Sequence, residues 1–175
     1  MNTVLRLVMA LSIALAIGAC QPKPKPAEPA PSAAKAAPAQ AVTEAAPDPH
    51  DYTDARNFDN PESLLSKRVI YFDYDKSAVK PEFRAIVSAH AAYLAAHSTG
   101  RVTLEGHADE RGTREYNLGL GERRGNAAMG LMSAQGARGD QLVVVSYGEE
   151  RPVCRVSDED CWWQNRRVEI VYTTR

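Results

Sequence analysis

Charge of one sign is what this 175-residue chain most lacks. Twenty-one basic side chains face twenty-two acidic ones, for a formal net charge of −1, and the isoelectric point is near 6.4. No basic field is left over to attract a phosphate backbone, which argues against a nucleic-acid binder. Long apolar runs are missing as well. The run over residues 7–17, after Arg6, is too short to span a bilayer as a stable helix. The usual catalytic arrangements are absent too: no serine stands in a nucleophile elbow, and no second histidine falls at helical spacing from His107. A metal site at His107, Asp109 and Glu110 would need three or four convergent ligands of matching type. The stretch from Gly119 to Gly125 has dinucleotide-loop glycines but lies inside a helical pattern, so phosphate-binding geometry is lacking. These absences predict a protein that is not an enzyme and carries no cofactor or metal.

The charged start, apolar middle and small-residue end of residues 1–19 have the form of a secretory signal, cut near Ala19. Its last residues, Ile17-Gly18-Ala19-Cys20, also resemble the lipobox of bacterial lipoproteins. That resemblance implies that Cys20 becomes the acylated first residue of the mature chain. Several acyl chains, at about 0.8 kcal/mol per buried CH₂, anchor a protein without a transmembrane helix. Gln21, where the pattern for inner-membrane retention has Asp, implies the outer membrane. Residues 20–50 then comprise the lipidated cysteine and a Pro/Ala-rich linker, with prolines at 22, 24, 26, 29, 31, 38, 47 and 49. Such a segment has too little apolar side-chain area to offset its ordering entropy and is expected to be disordered. Its prolines favour extension at about 3.1 Å per residue. Its expected role is reach. A Pro-rich docking site is the alternative, without an aromatic or regular basic pattern behind it.

Residues 51–65 read as a polar lead-in with a short helix, opened by Asn60-Pro61-Glu62 as N-cap, first-position proline and first-turn acid. Residues 66–175 carry the domain. A β-branched and aromatic run over 68–72 is the first strand. Pro81 and Glu82 then start a helix on which Phe83, Ile86, Val87, His90 and Leu94 form one apolar stripe, placing His90 in the core. A strand over 101–105 leads into a charged turn closed by Gly112, and a helix follows from near Thr113. Tyr116, Leu120, Ala127 and Leu131 are its expected core stripe, and Gly136 its C′ residue. Its internal glycines each cost about 0.5–1 kcal/mol relative to alanine, so packing must hold this helix. Strands over 141–147 and 166–172 complete the order β-α-β-α-β-β. That order predicts an α+β fold, a two-layer sandwich with a mixed four-stranded sheet and helices on one face. Once Cys20 is acylated, Cys154 and Cys161 are the remaining thiols, and an oxidising compartment predicts their disulfide, stabilising by about 2 kcal/mol. A redox-active pair is the alternative, although the spacing is not that of CxxC. Trp162 and Trp163 are expected to cover an edge of the core.

The most informative stretch runs from Gly106 to Asn126. It sets an anion, Asp109, at the exit of a strand and a cation, Arg124, on the helix that follows. Asn117 and Arg124, seven residues apart, share nearly one helix face. A cleft between these elements suits a ligand bearing both an ammonium and a carboxylate. The plainer alternative pairs Asp109 and Arg124 with each other, or with Glu110 and Glu122, at under about 1 kcal/mol for an exposed pair.

Several motifs occur together: Tyr71-Phe72-Asp73-Tyr74-Asp75, Gly106-His107-Ala108-Asp109-Glu110-Arg111-Gly112-Thr113 and Glu115-Tyr116-Asn117. Leu120-Gly121-Glu122-Arg123-Arg124, Ser146-Tyr147-Gly148-Glu149-Glu150-Arg151-Pro152 and Asn165-Arg166-Arg167-Val168-Glu169 follow. Over residues 66–175 they resemble the family of OmpA C-terminal-like domains and, with the lipobox and tether, its branch of peptidoglycan-associated lipoproteins. The resemblance implies non-covalent binding of the peptidoglycan stem peptide through diaminopimelate, tethering an outer membrane to the cell wall. It assigns the ligand's ammonium to Asp109 and its carboxylate to Arg124, where a guanidinium supports a bidentate contact that lysine does not. Asn117 would add a hydrogen bond, Phe72, Asp73 and Leu120 the pocket walls, and the Arg111-Gly112-Thr113 turn its backbone N–H groups. It further implies the Tol–Pal envelope and cell-division system, with TolB and other Tol components as partners and TolB on a surface overlapping the pocket. Gly125 departs from the alanine common at that position, and the cysteine pair is not universal in the family. The competing classes are a module whose main ligand is a partner protein, with weak wall binding, and a zinc-dependent hydrolase built on His107.

Overall fold

Four β-type runs and two long amphipathic stretches must bury their apolar sides together, and one sheet under two helices does so. The computed structural model describes residues 45–175; the expected signal peptide, Cys20 and linker up to residue 44 lie outside the described residues. In chain order come β1 (Val69–Tyr71), α1 (Arg84–Ala96), β2 (Arg101–His107), α2 (Arg114–Ala134), β3 (Leu142–Gly148), α3 (Glu159–Asn165) and β4 (Arg167–Thr174). The strands lie in the order β1-β4-β2-β3. β2 and β3 run parallel, and β4 is antiparallel to both of its neighbours. The expected mixed four-stranded sheet is therefore present, with β4 set inside it. Ile70, Val87, Leu94, Leu104, Met132, Val168 and Ile170 form the sealed centre of the core. Cys154 and Cys161 are joined by a disulfide, as expected.

His90 is wholly buried on the α1 stripe. Its Nε2 lies 2.9 Å from the Lys67 carbonyl and its Nδ1 3.0 Å from the Tyr172 hydroxyl. A carbonyl can only accept, so Nε2 carries the proton and Nδ1 accepts from the tyrosine. Burial pushes the pKa of the ring down to about 4.

Four local expectations change. The connection before β4 contains a helix, α3, capped by Asp158, whose carboxylate accepts from the Cys161 N–H at 3.0 Å, with Glu159 and Asp160 in its first turn. Asn60 caps no helix; its side-chain oxygen accepts from Glu62 N–H at 3.1 Å in a turn, and Ser63 caps the short 3₁₀ turn Leu64–Ser66. β2 runs on to His107, so the charged turn starts later than its composition implies. The buried face of α2 is Leu120, Gly121, Arg124, Gly125, Ala128 and Met132, while Tyr116 is exposed. Glycine decides that last point, because it lets the helix backbone touch the sheet. A Cβ on Gly121 would lie 2.4 Å from Ser146 Oγ and 2.8 Å from the Gly106 carbonyl, and one on Gly125 would lie 2.5 Å from Val144 Cγ1. Gly125 is thus fitted to Val144 rather than a local loosening of the helix.

Candidate functional site

The close seat of α2 on β2 sets the geometry of the charged residues beside it. Thr113 caps the helix, its hydroxyl accepting from Tyr116 N–H at 3.2 Å, so Asn117, Leu120 and Arg124 succeed one another along the side next to the end of β2. At that end the chain turns through Asp109 to Gly112, whose φ of +117° suits glycine alone. Tyr74 and Asp75, from the loop after β1, close the third side. Together with Arg111 and Tyr116 these residues line a cavity of about 110 Å³.

The cationic wall is Arg124, with no exposed surface. Its Nε donates to the Lys76 carbonyl at 2.9 Å, Nη1 to that of His107 at 2.7 Å and Nη2 to that of Asp73 at 3.1 Å. All three acceptors are neutral. Among the described residues no carboxylate lies at ion-pair distance from Arg124, and two of the five guanidinium N–H groups remain uncommitted. Burial pushes its pKa down to about 10, partly opposed by the field of Asp109, so it stays charged at neutral pH.

The anionic wall is Asp109, 4% exposed. Burial acts to raise its pKa, but hydrogen bonds from the Arg111 side chain and backbone and from Arg166 prevail and hold it below the usual carboxylate range. Arg111 Nη2 stands 2.6 Å and Arg166 Nη1 3.1 Å from Oδ2, and the Arg111 N–H reaches Oδ1 at 3.1 Å. Asp109 and Arg124 therefore do not pair with each other, and Glu110 turns away to accept from Trp162 Nε1 at 3.0 Å. The plain salt-bridge alternative is not what the chain adopts.

Asp109, Asn117, Leu120 and Arg124 thus meet around one cavity, as the sequence leads one to expect. Phe72 and Asp73 are not among its lining residues. The Phe72 ring lies under the Arg124 guanidinium, 5.2 Å from centroid to Cζ. Asp73 contributes its carbonyl to Arg124 and turns its carboxylate to Lys76 and Lys80, at 3.7 and 3.8 Å. Both residues position the arginine instead of forming walls. The Arg111 N–H is committed to Asp109 and is not offered to a ligand. Asn117 donates its side-chain N–H to Glu149.

Sequence reasoning missed Tyr74, Asp75, Arg166 and the side chain of Arg111. It also misplaced Tyr116, whose hydroxyl donates to Asp75 across the cavity mouth. The spacing of two between Asp109 and Arg111 was the available signal for one of these. Trp162 packs its ring 4.1 Å from Arg111 Cζ, beside the site, whereas Trp163 covers Tyr71 at the sheet edge. His107 points toward Tyr147 and Glu169, its Nε2 4.0 Å from the Glu169 carboxylate. Among the described residues no group of three or more His, Cys, Asp or Glu side chains could hold a metal ion.

Residues 71–165 match the OmpA family. Over 108 residues the chain is 51% identical to the peptidoglycan-associated lipoproteins of Pseudomonas putida and Pseudomonas aeruginosa, covering 62% of this chain and 64% of each of theirs. The crystal structure of the peptidoglycan-associated lipoprotein from Burkholderia pseudomallei superposes with a TM-score of 0.65 at 41% identity, over 66% of this chain and 98% of that one. The C-terminal domain of Helicobacter pylori MotB gives a TM-score of 0.55 at 19% identity over 61% of this chain and 83% of that one, a likeness of fold alone.

Proposed function

This chain belongs to the OmpA family, and from that premise we propose that it is a lipoprotein of the outer membrane, anchored through Cys20, that binds peptidoglycan without a covalent bond. The ligand is the diaminopimelate of the stem peptide. Its ammonium goes to Asp109, its carboxylate to Arg124, and Asn117 and Leu120 complete the pocket. Nothing is cut or transferred; the function is a tether between lipid and wall, spanned by the residues before the domain. The kinship to proteins named peptidoglycan-associated lipoproteins supports this reading. One observation carries it furthest: a sealed guanidinium with only neutral partners and two free N–H groups faces a cavity whose other wall is a carboxylate. A carboxylate ligand supplies the counter-charge that Arg124 lacks. Residence in a Tol–Pal envelope and cell-division system, with TolB as partner on an overlapping surface, completes the proposal.

The exposed tyrosines at the cavity mouth, Tyr74 at 56% and Tyr116 at 45%, beside Arg111, favour a second reading, a protein-interaction module with weak wall binding. Sedimentation with purified sacculi separates the two. The full chain, held in detergent, is expected to pellet with the wall, whereas Asp109→Asn and Arg124→Lys, each shown to be folded by circular dichroism, stay in solution. Equal sedimentation of all three would place wall binding elsewhere. Absence of sedimentation for the wild type would bring the partner-protein reading to the front.

A further inference from the structure

Asp109 already holds a cation, supplied by its own chain two residues on. The Arg111 guanidinium sets Nη2 2.6 Å from Oδ2 and Nε 3.3 Å from Oδ1. The second partner, Arg166, is 7% exposed and is also tied to the Phe72 carbonyl and Glu159. Arg111 is different: its side chain is 29% exposed and it lines the cavity. An ammonium arriving at Asp109 from the cavity therefore meets Arg111 first.

Arg111 has other holds that would survive its leaving Asp109. Its Cζ lies 4.0 Å from the centre of the Tyr74 ring and 4.1 Å from that of Trp162, so the guanidinium is sandwiched between two aromatic faces. Glu159 Oε2 stands 3.5 Å from its Nη2. Trp162 and Glu159 both belong to α3, which Asp158 caps and which the Cys154–Cys161 disulfide ties back to the preceding loop.

We propose that Arg111 is a built-in competitor for the ligand's cation, and that disulfide-closed α3 sets how firmly it competes. The inference rests on reading the pocket as a site for a zwitterion. Binding then exchanges one ion pair for another at Asp109, while Arg111 keeps Tyr74, Trp162 and Glu159. The exchange keeps the ammonium's contribution to affinity small, so that Arg111 holds down the pocket's preference for a zwitterion over a dicarboxylate. A ligand with a carboxylate alone docks at Arg124 and leaves Arg111 where it is. Arg111 is in this sense a specificity-determining residue, acting through Asp109.

The test is titration calorimetry on the full chain in detergent, with free meso-diaminopimelate and with pimelate, which has the same carbon chain and two carboxylates but no ammonium. Arg111→Met is expected to tighten diaminopimelate about three- to tenfold and to leave pimelate unchanged. Cys154→Ser/Cys161→Ser should tighten diaminopimelate by a smaller factor and add nothing to Arg111→Met. Weaker diaminopimelate binding by Arg111→Met would make Arg111 a ligand contact and overturn the proposal. So would equal tightening of both ligands, the mark of a merely roomier pocket, or full additivity of the cysteine and Arg111 variants. If the wild type binds diaminopimelate and Arg111→Met binds no better, only this inference falls. If neither binds, the zwitterion reading falls with it. Reducing the disulfide of the wild-type chain gives the same comparison should Arg111→Met not fold.

Discussion

His90 and Arg124 are both polar side chains with no exposed surface, and they are partnered on opposite plans. The His90 ring is neutral, and each nitrogen has one neutral partner, Lys67 O and Tyr172 Oη, so the cluster closes on itself. Arg124 is a cation, and its three carbonyl acceptors leave two N–H groups and a whole charge without an answer from the described residues. Burial is common to the two and therefore marks neither as a binding site. What separates them is incomplete partnering next to a cavity.

The largest test of that contrast is Arg124→Leu. It removes the donors of three buried carbonyls and is expected to lower stability by on the order of 4 kcal/mol in urea unfolding, with wall binding lost. Acid comes next. The folded-state pKa of His90 is about 4 against an ordinary 6.5, so between those values the unfolded chain takes up a proton that the native ring refuses. Stability from this group is full above 6.5 and is lost as pH falls toward 4, by up to about 3 kcal/mol, readable as a fall in melting temperature. His107, likewise pushed to about 4 by burial, adds in the same direction. Asp109, held below the carboxylate range, keeps its contribution until the pH is lower still. His90→Phe leaves the Lys67 carbonyl and the Tyr172 hydroxyl without their partner. It is expected to cost about 2 kcal/mol while flattening the acid slope and leaving sacculus binding intact. Loss of wall binding by this variant, still folded, would break the contrast. Smallest is Gly125→Ala, whose methyl would meet Val144. A loss of about 1 kcal/mol is expected, and Val144→Ala in the same chain should relieve most of it.

Much of this was legible because the informative contacts follow from local spacing. The start of α2 near Thr113, the stripe through His90 and the placing of Asp109 and Arg124 on facing elements each need only the period of one helix or the end of one strand. The rest depends on residues far apart in the chain. Tyr116 reaches Asp75 across 41 positions, and Trp162 reaches Glu110 across 52; no periodicity records either. Phe72 and Asp73 touch Arg124 and do not line the cavity, a distinction that sequence does not record, because it does not tell a side chain that faces a cavity from one that faces the residue behind it. The α2 stripe was misread for a related reason. Its buried face is defined by glycines, whose contribution is close approach and not apolar area. α3 is seven residues long, too short to show a period, and its cap was hidden among the charges of a segment read as a loop.

Among the described residues β4, the last of the four strands in chain order, lies inside the sheet and is the only strand that β1 pairs with. The sheet therefore cannot assemble strand by strand in chain order. β2, α2 and β3 form a contiguous unit that can associate early, but β1 waits as a loose end until β4 arrives to join it to β2. Val168 and Ile170 of β4 complete the core at the same moment. The final step is thus a wedge driven between two earlier parts, with long-range pairing on both of its edges, a topology that favours late, all-at-once consolidation over gradual growth.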